Sequence, residues 1–165
     1  LLAVNDNSFS GPLPNSLRNC SSLIRVQLDD NQLTSITDTF GVLPDLNFIS
    51  LSRNKLVGEL SWEWGECVNL TRMDMESNKL SGKIPSELSK LSQLGHPSLH
   101  SNEFTGHIPT EIRNLSQLLL FNVTSNHLSR EIPKSYGRLA QLNFLDLSNN
   151  FSGSIPRELG DASAY

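Results

Sequence analysis

Asparagine recurs along this chain at Asn7, Asn31, Asn54, Asn78, Asn102, Asn126 and Asn150, 24 residues apart throughout except for 23 between Asn31 and Asn54. No other feature constrains the fold as tightly, because a fixed period of about 20–50 residues is the mark of a stacked-repeat architecture. The same apolar frame surrounds each asparagine. One copy runs Leu46, Ile49, Leu51, Asn54, Leu56, Gly58, and the next Leu70, Met73, Met75, Asn78, Leu80, Gly82, then Ile84-Pro85. Apolar residues at alternate places (Ile49 and Leu51, Met73 and Met75, Phe121 and Val123) predict a short strand with one buried face. Consecutive copies then lay these strands side by side as a parallel sheet. The asparagine falls where the chain turns off the strand. Its amide both donates and accepts, so it can satisfy backbone groups of adjoining turns, and a structural role is assigned to all seven.

The return path carries Gly-x-apolar-Pro at Gly11 to Pro14, Gly82 to Pro85, Gly106 to Pro109 and Gly153 to Pro156. Glycine permits a tight backbone there, and proline fixes φ at the entry to a short helical turn. Residues such as Leu88 and Leu91, or Ile112 and Leu115, follow on the inner side. One copy cannot bury its own apolar stripe, whereas a stack can. Residues 1–160 read as a single array of about seven 23–24-residue repeats without terminal caps, and 161–165 as a tail that leaves the frame.

The frame resembles the plant-specific class of leucine-rich repeats, L-x-x-L-x-L-x-x-N-x-L-x-G-x-I-P, across nearly the whole chain. Stretches such as Asn78-Lys79-Leu80-Ser81-Gly82-Lys83-Ile84-Pro85 are similar to the ectodomains of leucine-rich-repeat receptor-like kinases. The resemblance implies an α/β solenoid: a right-handed superhelix with a concave parallel β-sheet, a second short strand near the Gly-x-Ile-Pro segment, and short helical or 3-10 turns on the convex side. It also implies a membrane span and a serine/threonine kinase domain elsewhere in a longer protein.

Several positions depart from the frame. The second copy has Leu33-Thr34-Ser35-Ile36 in place of the glycine–proline signature, and the sixth has Arg130 where glycine is usual. Pro97 occupies a buried strand position and removes a ladder donor, which predicts a local defect. Trp64 takes a core leucine position, with Trp62 beside it partly exposed. Cys20 and Cys67 fall at equivalent places in repeats that are not neighbours, roughly 10 Å apart by strand spacing, too far for a disulfide. Both are expected to be small core residues in place of leucine. Absent cysteine-bearing caps, the two ends of the stack should expose apolar edges.

The net charge of -4 supplies no basic patch and argues against a nucleic-acid partner. The longest apolar run, Leu118 to Phe121, is far too short to span a bilayer. No cofactor or metal is called for: His96 and His100 lie on a strand, where a four-residue spacing separates them by roughly 13 Å, and no pair of carboxylates stands out for catalysis.

Strand residues between the buried ones face the concave side and form columns. One is Leu1, Arg25, Phe48, Arg72, His96, Leu120, Phe144; the next is Ala3, Gln27, Ser50, Asp74, Ser98, Asn122, Asp146; the third is Asn5, Asp29, Ser52, Glu76, His100, Thr124, Ser148. Arginine and aromatic residues concentrate binding energy, so Arg25, Asp29, Phe48, Arg72, Asp74, Glu76, His96 and His100 are the candidate ligand contacts. The bland alternative is a solvated face on which Arg72 pairs with Glu76 and Arg25 with Asp29. A face roughly 30 Å long would hold an extended peptide of about nine residues.

Asn-x-Ser/Thr occurs at Asn19, Asn69, Asn114, Asn122 and Asn150, which fits a secretory-pathway protein. Asn150 belongs to the ladder and is expected bare; the other four are candidate glycan sites. The resemblance implies a secreted peptide or protein ligand, a co-receptor that itself carries leucine-rich repeats, and a location outside the plasma membrane or in the cell wall. The alternative function is a secreted inhibitor of a microbial wall-degrading enzyme; an ice-binding surface is disfavoured because the columns are too mixed.

Overall fold

The computed structural model describes residues 1–36, 42–148 and 150–161, with the side chains of Asn150 and Asp161 excepted. The expectations for Asn150 as a buried ladder residue and for the tail beyond 161 lie outside the described residues. Among the described residues, fourteen strands and six 3-10 turns are numbered in chain order, and the strands alternate between two faces. The odd-numbered strands are β1 (Leu2–Ala3), β3 (Arg25–Gln27), β5 (Phe48–Ser50), β7 (Arg72–Asp74), β9 (His96–Ser98), β11 (Leu120–Asn122) and β13 (Phe144–Asp146). They form one seven-stranded parallel sheet in sequence order.

The even-numbered strands are β2 (Ser10–Pro12), β4 (Gln32–Ser35), β6 (Val57–Glu59), β8 (Lys79–Ser81), β10 (Thr105–Gly106), β12 (His127–Arg130) and β14 (Asn150–Phe151). They line the adjoining face as a four-stranded and a three-stranded parallel sheet. The return paths close through η1 (Asn15–Asn19), η2 (Trp62–Glu66), η3 (Ser86–Lys90), η4 (Thr110–Asn114), η5 (Lys134–Arg138) and η6 (Arg157–Asp161). All the helical turns among the described residues are of the 3-10 type, and no helix is long and apolar enough to cross a membrane.

The period decides this geometry. Each repeat offers one strand's inner residues, one residue of the second strand and two from the return turn to a common interior. Ile49, Leu51, Leu56, Met73, Met75 and Leu80 are fully shielded there. Prolines 14, 85, 109 and 133 precede their 3-10 turns with φ between -71° and -61°, the value the ring imposes. Ser61 takes the same extended conformation in the copy that lacks proline. Trp64 is buried and Trp62 is 59% exposed. Tyr136 takes the equivalent place in a later copy, stacks edge-on against Phe121, and donates its hydroxyl to the Pro109 carbonyl at 3.0 Å. That burial pushes its phenol above the usual range.

The asparagines clamp each repeat to the one before. Asn78 Oδ1 accepts from the Leu56 amide at 3.0 Å, and its Nδ2 donates to the carbonyls of Leu51, Met75 and Glu76. Asn31, Asn54, Asn102 and Asn126 repeat the pattern. The side chain of Asn7 is exposed and donates to the Val4 and Asn5 carbonyls of its own turn, while its backbone amide donates to the Asp30 carbonyl. The residue ahead of each asparagine is left-handed, from Asp6 to Ser125, with φ between 51° and 57°. Arg130, where five of the other copies place glycine, is held at φ 77°.

The defect at Pro97 is confined to one side of its strand. β9 pairs with β7 at all three positions, Arg72↔His96, Met73↔Pro97 and Asp74↔Ser98. Towards β11 it pairs only through Ser98↔Asn122. In a parallel ladder alternate residues address opposite neighbours, and position 97 addresses β11, so the missing N–H is lost from that pairing alone.

Cys67 is buried, as anticipated, and its burial pushes the thiol up. Cys20, expected in the core, is exposed at the edge of the described stack. The same edge leaves an apolar trough of about 340 Å³ between Leu2, Val4, Phe9, Leu13 and Leu17.

Candidate functional site: the concave face

The seven-stranded sheet aligns the three columns in register. Arg25, Phe48, Arg72 and His96 stand in line across four strands, and Gln27, Ser50, Asp74, Ser98, Asn122 and Asp146 form the adjacent row. Two charge clusters result.

In the first, Phe48 lies between two guanidinium groups, with Arg25 Cζ 4.6 Å and Arg72 Cζ 5.8 Å from the ring centroid. Both distances are within cation–π range. Arg72 Nε also donates to both Asp74 oxygens, at 3.0 and 2.7 Å. Burial pushes the Asp74 carboxyl up, against the opposing pull of Arg72. The expected pairings of Arg72 with Glu76 and of Arg25 with Asp29 do not form. On an extended strand four residues span roughly 13 Å, whereas a residue two places on lies on the same face at half that distance. Arg72 therefore meets Asp74, and Arg25 turns across the sheet to Phe48.

The second cluster centres on Arg53, which the strand columns did not single out. Its guanidinium bonds Asp30 through Nε–Oδ1 at 2.6 Å and Nη2–Oδ2 at 2.5 Å. It also lies 3.7 Å from Asp29 and 3.6 Å from Glu76. The bidentate bond from Arg53 holds the Asp30 carboxyl below the usual carboxylate range. Asp30 and Arg53 occupy the same left-handed turn position in consecutive copies. That equivalence was available in the sequence, since each directly precedes a ladder asparagine and their charges are opposite.

The other candidates are more loosely placed. His96 and His100 are half-buried, and His100 Nδ1 lies 3.1 Å from Ser101 Oγ. Asn122 is half-buried at the end of β11, its Oδ1 accepting from the Thr124 amide. Asn19, Asn69 and Asn114 are exposed away from the sheet, Asn69 donating to the Pro44 carbonyl at 2.8 Å.

A stack of parallel strands with an asparagine ladder, a second strand per copy and one continuous seven-stranded sheet is a leucine-rich-repeat solenoid. The leucine-rich-repeat family model matches residues 69–91 and 141–162. No curated protein matches the chain. Among solved structures, the plant peptide hormone receptor RGFR1 in complex with RGF2 is 35% identical over 96% of this chain, with a TM-score of 0.93, and 26% of that chain is covered. The PEPR1–AtPEP1 complex is 30% identical over 94% of this chain, with a TM-score of 0.91 and 22% of that chain covered. The Arabidopsis receptor kinase HAESA, in complex with the peptide hormone IDA and the co-receptor SERK1, is 38% identical over 94% of this chain, with a TM-score of 0.73 and 30% of that chain covered. The chain thus spans under a third of the length of these receptors. It is a plant-type leucine-rich-repeat protein and resembles the ectodomains of plant receptor kinases.

Proposed function

We propose that the chain is a ligand-binding part of a plant receptor-like kinase, set on the extracellular side of the plasma membrane, and that its concave face senses a secreted peptide. The observation that carries this reading is the in-register row Arg25, Phe48, Arg72, with Asp74 buried against it. Aromatic and arginine side chains locked side by side provide anchoring at little cost in rotamer entropy. Asp29, Glu76, His96 and His100 extend the contact surface to either side. A co-receptor carrying leucine-rich repeats is the second expected partner. The likeness to a plant peptide hormone receptor in complex with RGF2 and to the receptor kinase HAESA in complex with the peptide hormone IDA supports this reading over a secreted inhibitor of a wall-degrading enzyme.

Glycans on Asn19, Asn69 and Asn114 fit this assignment, since all three asparagines leave the concave sheet clear. A glycan on Asn122 would cover the sheet between β9 and β13 and direct the ligand to the earlier repeats. Glycopeptide mass spectrometry of protein secreted from plant cells tests occupancy at each.

Binding itself is tested with peptides selected on the chain from a random library of nine-residue sequences. Phe48→Asp is expected to weaken the selected peptides at least tenfold, while Lys90→Ala on the return turn leaves them unchanged. Equal binding by the Phe48 variant and the parent would overturn the concave placement.

A further inference from the structure

The second charge cluster contains oxygen atoms that no group among the described residues satisfies. Asp29, Ser52 and Glu76 hold one register position in consecutive repeats, about 4.8 Å apart across the sheet. Ser52 is 1% exposed, and neither its Oγ nor the buried Glu76 Oε2 has a hydrogen-bond partner. Arg53 does not fill the need. Its two short bonds go to Asp30, and at 3.7 Å from Asp29 and 3.6 Å from Glu76 it is beyond hydrogen-bond length from either. Both of those carboxylate side chains are only 16% exposed. Across the two clusters, the carboxylates of Asp29, Asp30, Asp74 and Glu76 outnumber the guanidiniums of Arg25, Arg53 and Arg72, leaving an excess of one negative charge.

What is missing is a donor that carries positive charge. An anion is repelled, and a neutral amide leaves the charge excess in place. A guanidinium presents a planar fork suited to one carboxylate edge, whereas these acceptors come from three successive strands. A hard divalent cation takes six or more oxygen ligands, and no group of three metal-ligating side chains lies together among the described residues. A primary ammonium has three N–H donors around one small centre and no acceptor, which matches one hydroxyl and two carboxylates.

We infer that repeats two to four receive a primary ammonium group of the ligand, a lysine side chain or a free amino terminus, between Asp29, Ser52 and Glu76. The inference rests on the peptide-sensing reading and specifies the chemistry of the peptide there.

The test uses nine-residue peptides with free amino termini, selected from a random library on the intact chain. Each binder is resynthesised with its lysines replaced by norleucine, and separately with its amino terminus acetylated, and titrated calorimetrically. One of the two changes is expected to weaken binding at least tenfold; which one identifies the source of the ammonium. On Glu76→Gln, a near-isosteric change, the parent peptide should weaken equally, and the same chemical change should then cost nothing more. Asp29→Asn makes the same test from the opposite wall. Binders for which neither change costs tenfold, or variants that bind the parent peptide undiminished, overturn the inference and leave peptide sensing intact. If no selected peptide depends on Phe48, the peptide-sensing reading falls and this inference with it.

Discussion

The guanidinium of Arg25 lies 4.6 Å from the centroid of the Phe48 ring, on the adjacent strand and in direct register with it. Arg72 approaches the same ring from the strand beyond. Phe48 is therefore the organising residue of the row, although the charges flank it. Phe48→Ala is expected to lower ligand affinity at least tenfold, in the range of interface anchors, with little loss of stability because the side chain is already half solvent-facing. Calorimetric titration of the selected peptides, alongside a urea melt of each protein, separates the two effects.

The asparagine ladder should be worth most where it bridges two repeats. Asn78→Ala strips a partner from the buried Leu56 amide and the Leu51 carbonyl. At about 1–3 kcal/mol for each of the two orphaned groups, a loss of roughly 2–6 kcal/mol is expected. Asn7→Ala, where the side chain is exposed and bonds only within its own turn, should cost this chain under about 1 kcal/mol. Comparable urea midpoints for the two variants would contradict this account.

Tyr136 makes stability sensitive to alkaline pH. Burial raises its phenol above the unfolded value, with Glu111 adding to the effect. The folded state therefore keeps a proton that the unfolded chain gives up, so its contribution is complete below the unfolded value of about 10 and declines as pH rises beyond it. Tyr136→Phe should remove much of that alkaline decline. At neutral pH it should cost about 1–3 kcal/mol, since the Pro109 carbonyl loses its donor. Urea melts from pH 7 to 11 on both proteins check the sign and the window.

Arg130 sits at φ 77°, a conformation glycine adopts freely and an L side chain does not. Arg130→Gly should stabilise the fold by about 1 kcal/mol. A lower melting temperature in the variant would show that the arginine side chain contributes more than its backbone costs.

The sequence alone determined the architecture, because the architecture is one-dimensional. The spacing of Asn7 through Asn126 fixed the repeat length. The alternation around Ile49 and Leu51 fixed which face is buried, and the two together fixed the register Arg25↔Phe48↔Arg72↔His96 that the sheet displays. It also located the Pro97 defect. What it did not determine was how long, flexible side chains choose among partners once that register exists. Arg72 reaches Asp74 and not Glu76, Arg25 lies on Phe48, and Arg53 takes Asp30 because the left-handed turn of each repeat stacks the two in line. Cys20 and Cys67 share a place in the repeat and differ in exposure, since burial depends on having a neighbour on each side. Periodicity sets where each Cα stands; the choice among ion pairs, and the cover over each residue, depend on distances between repeats that only the stacked tertiary structure supplies.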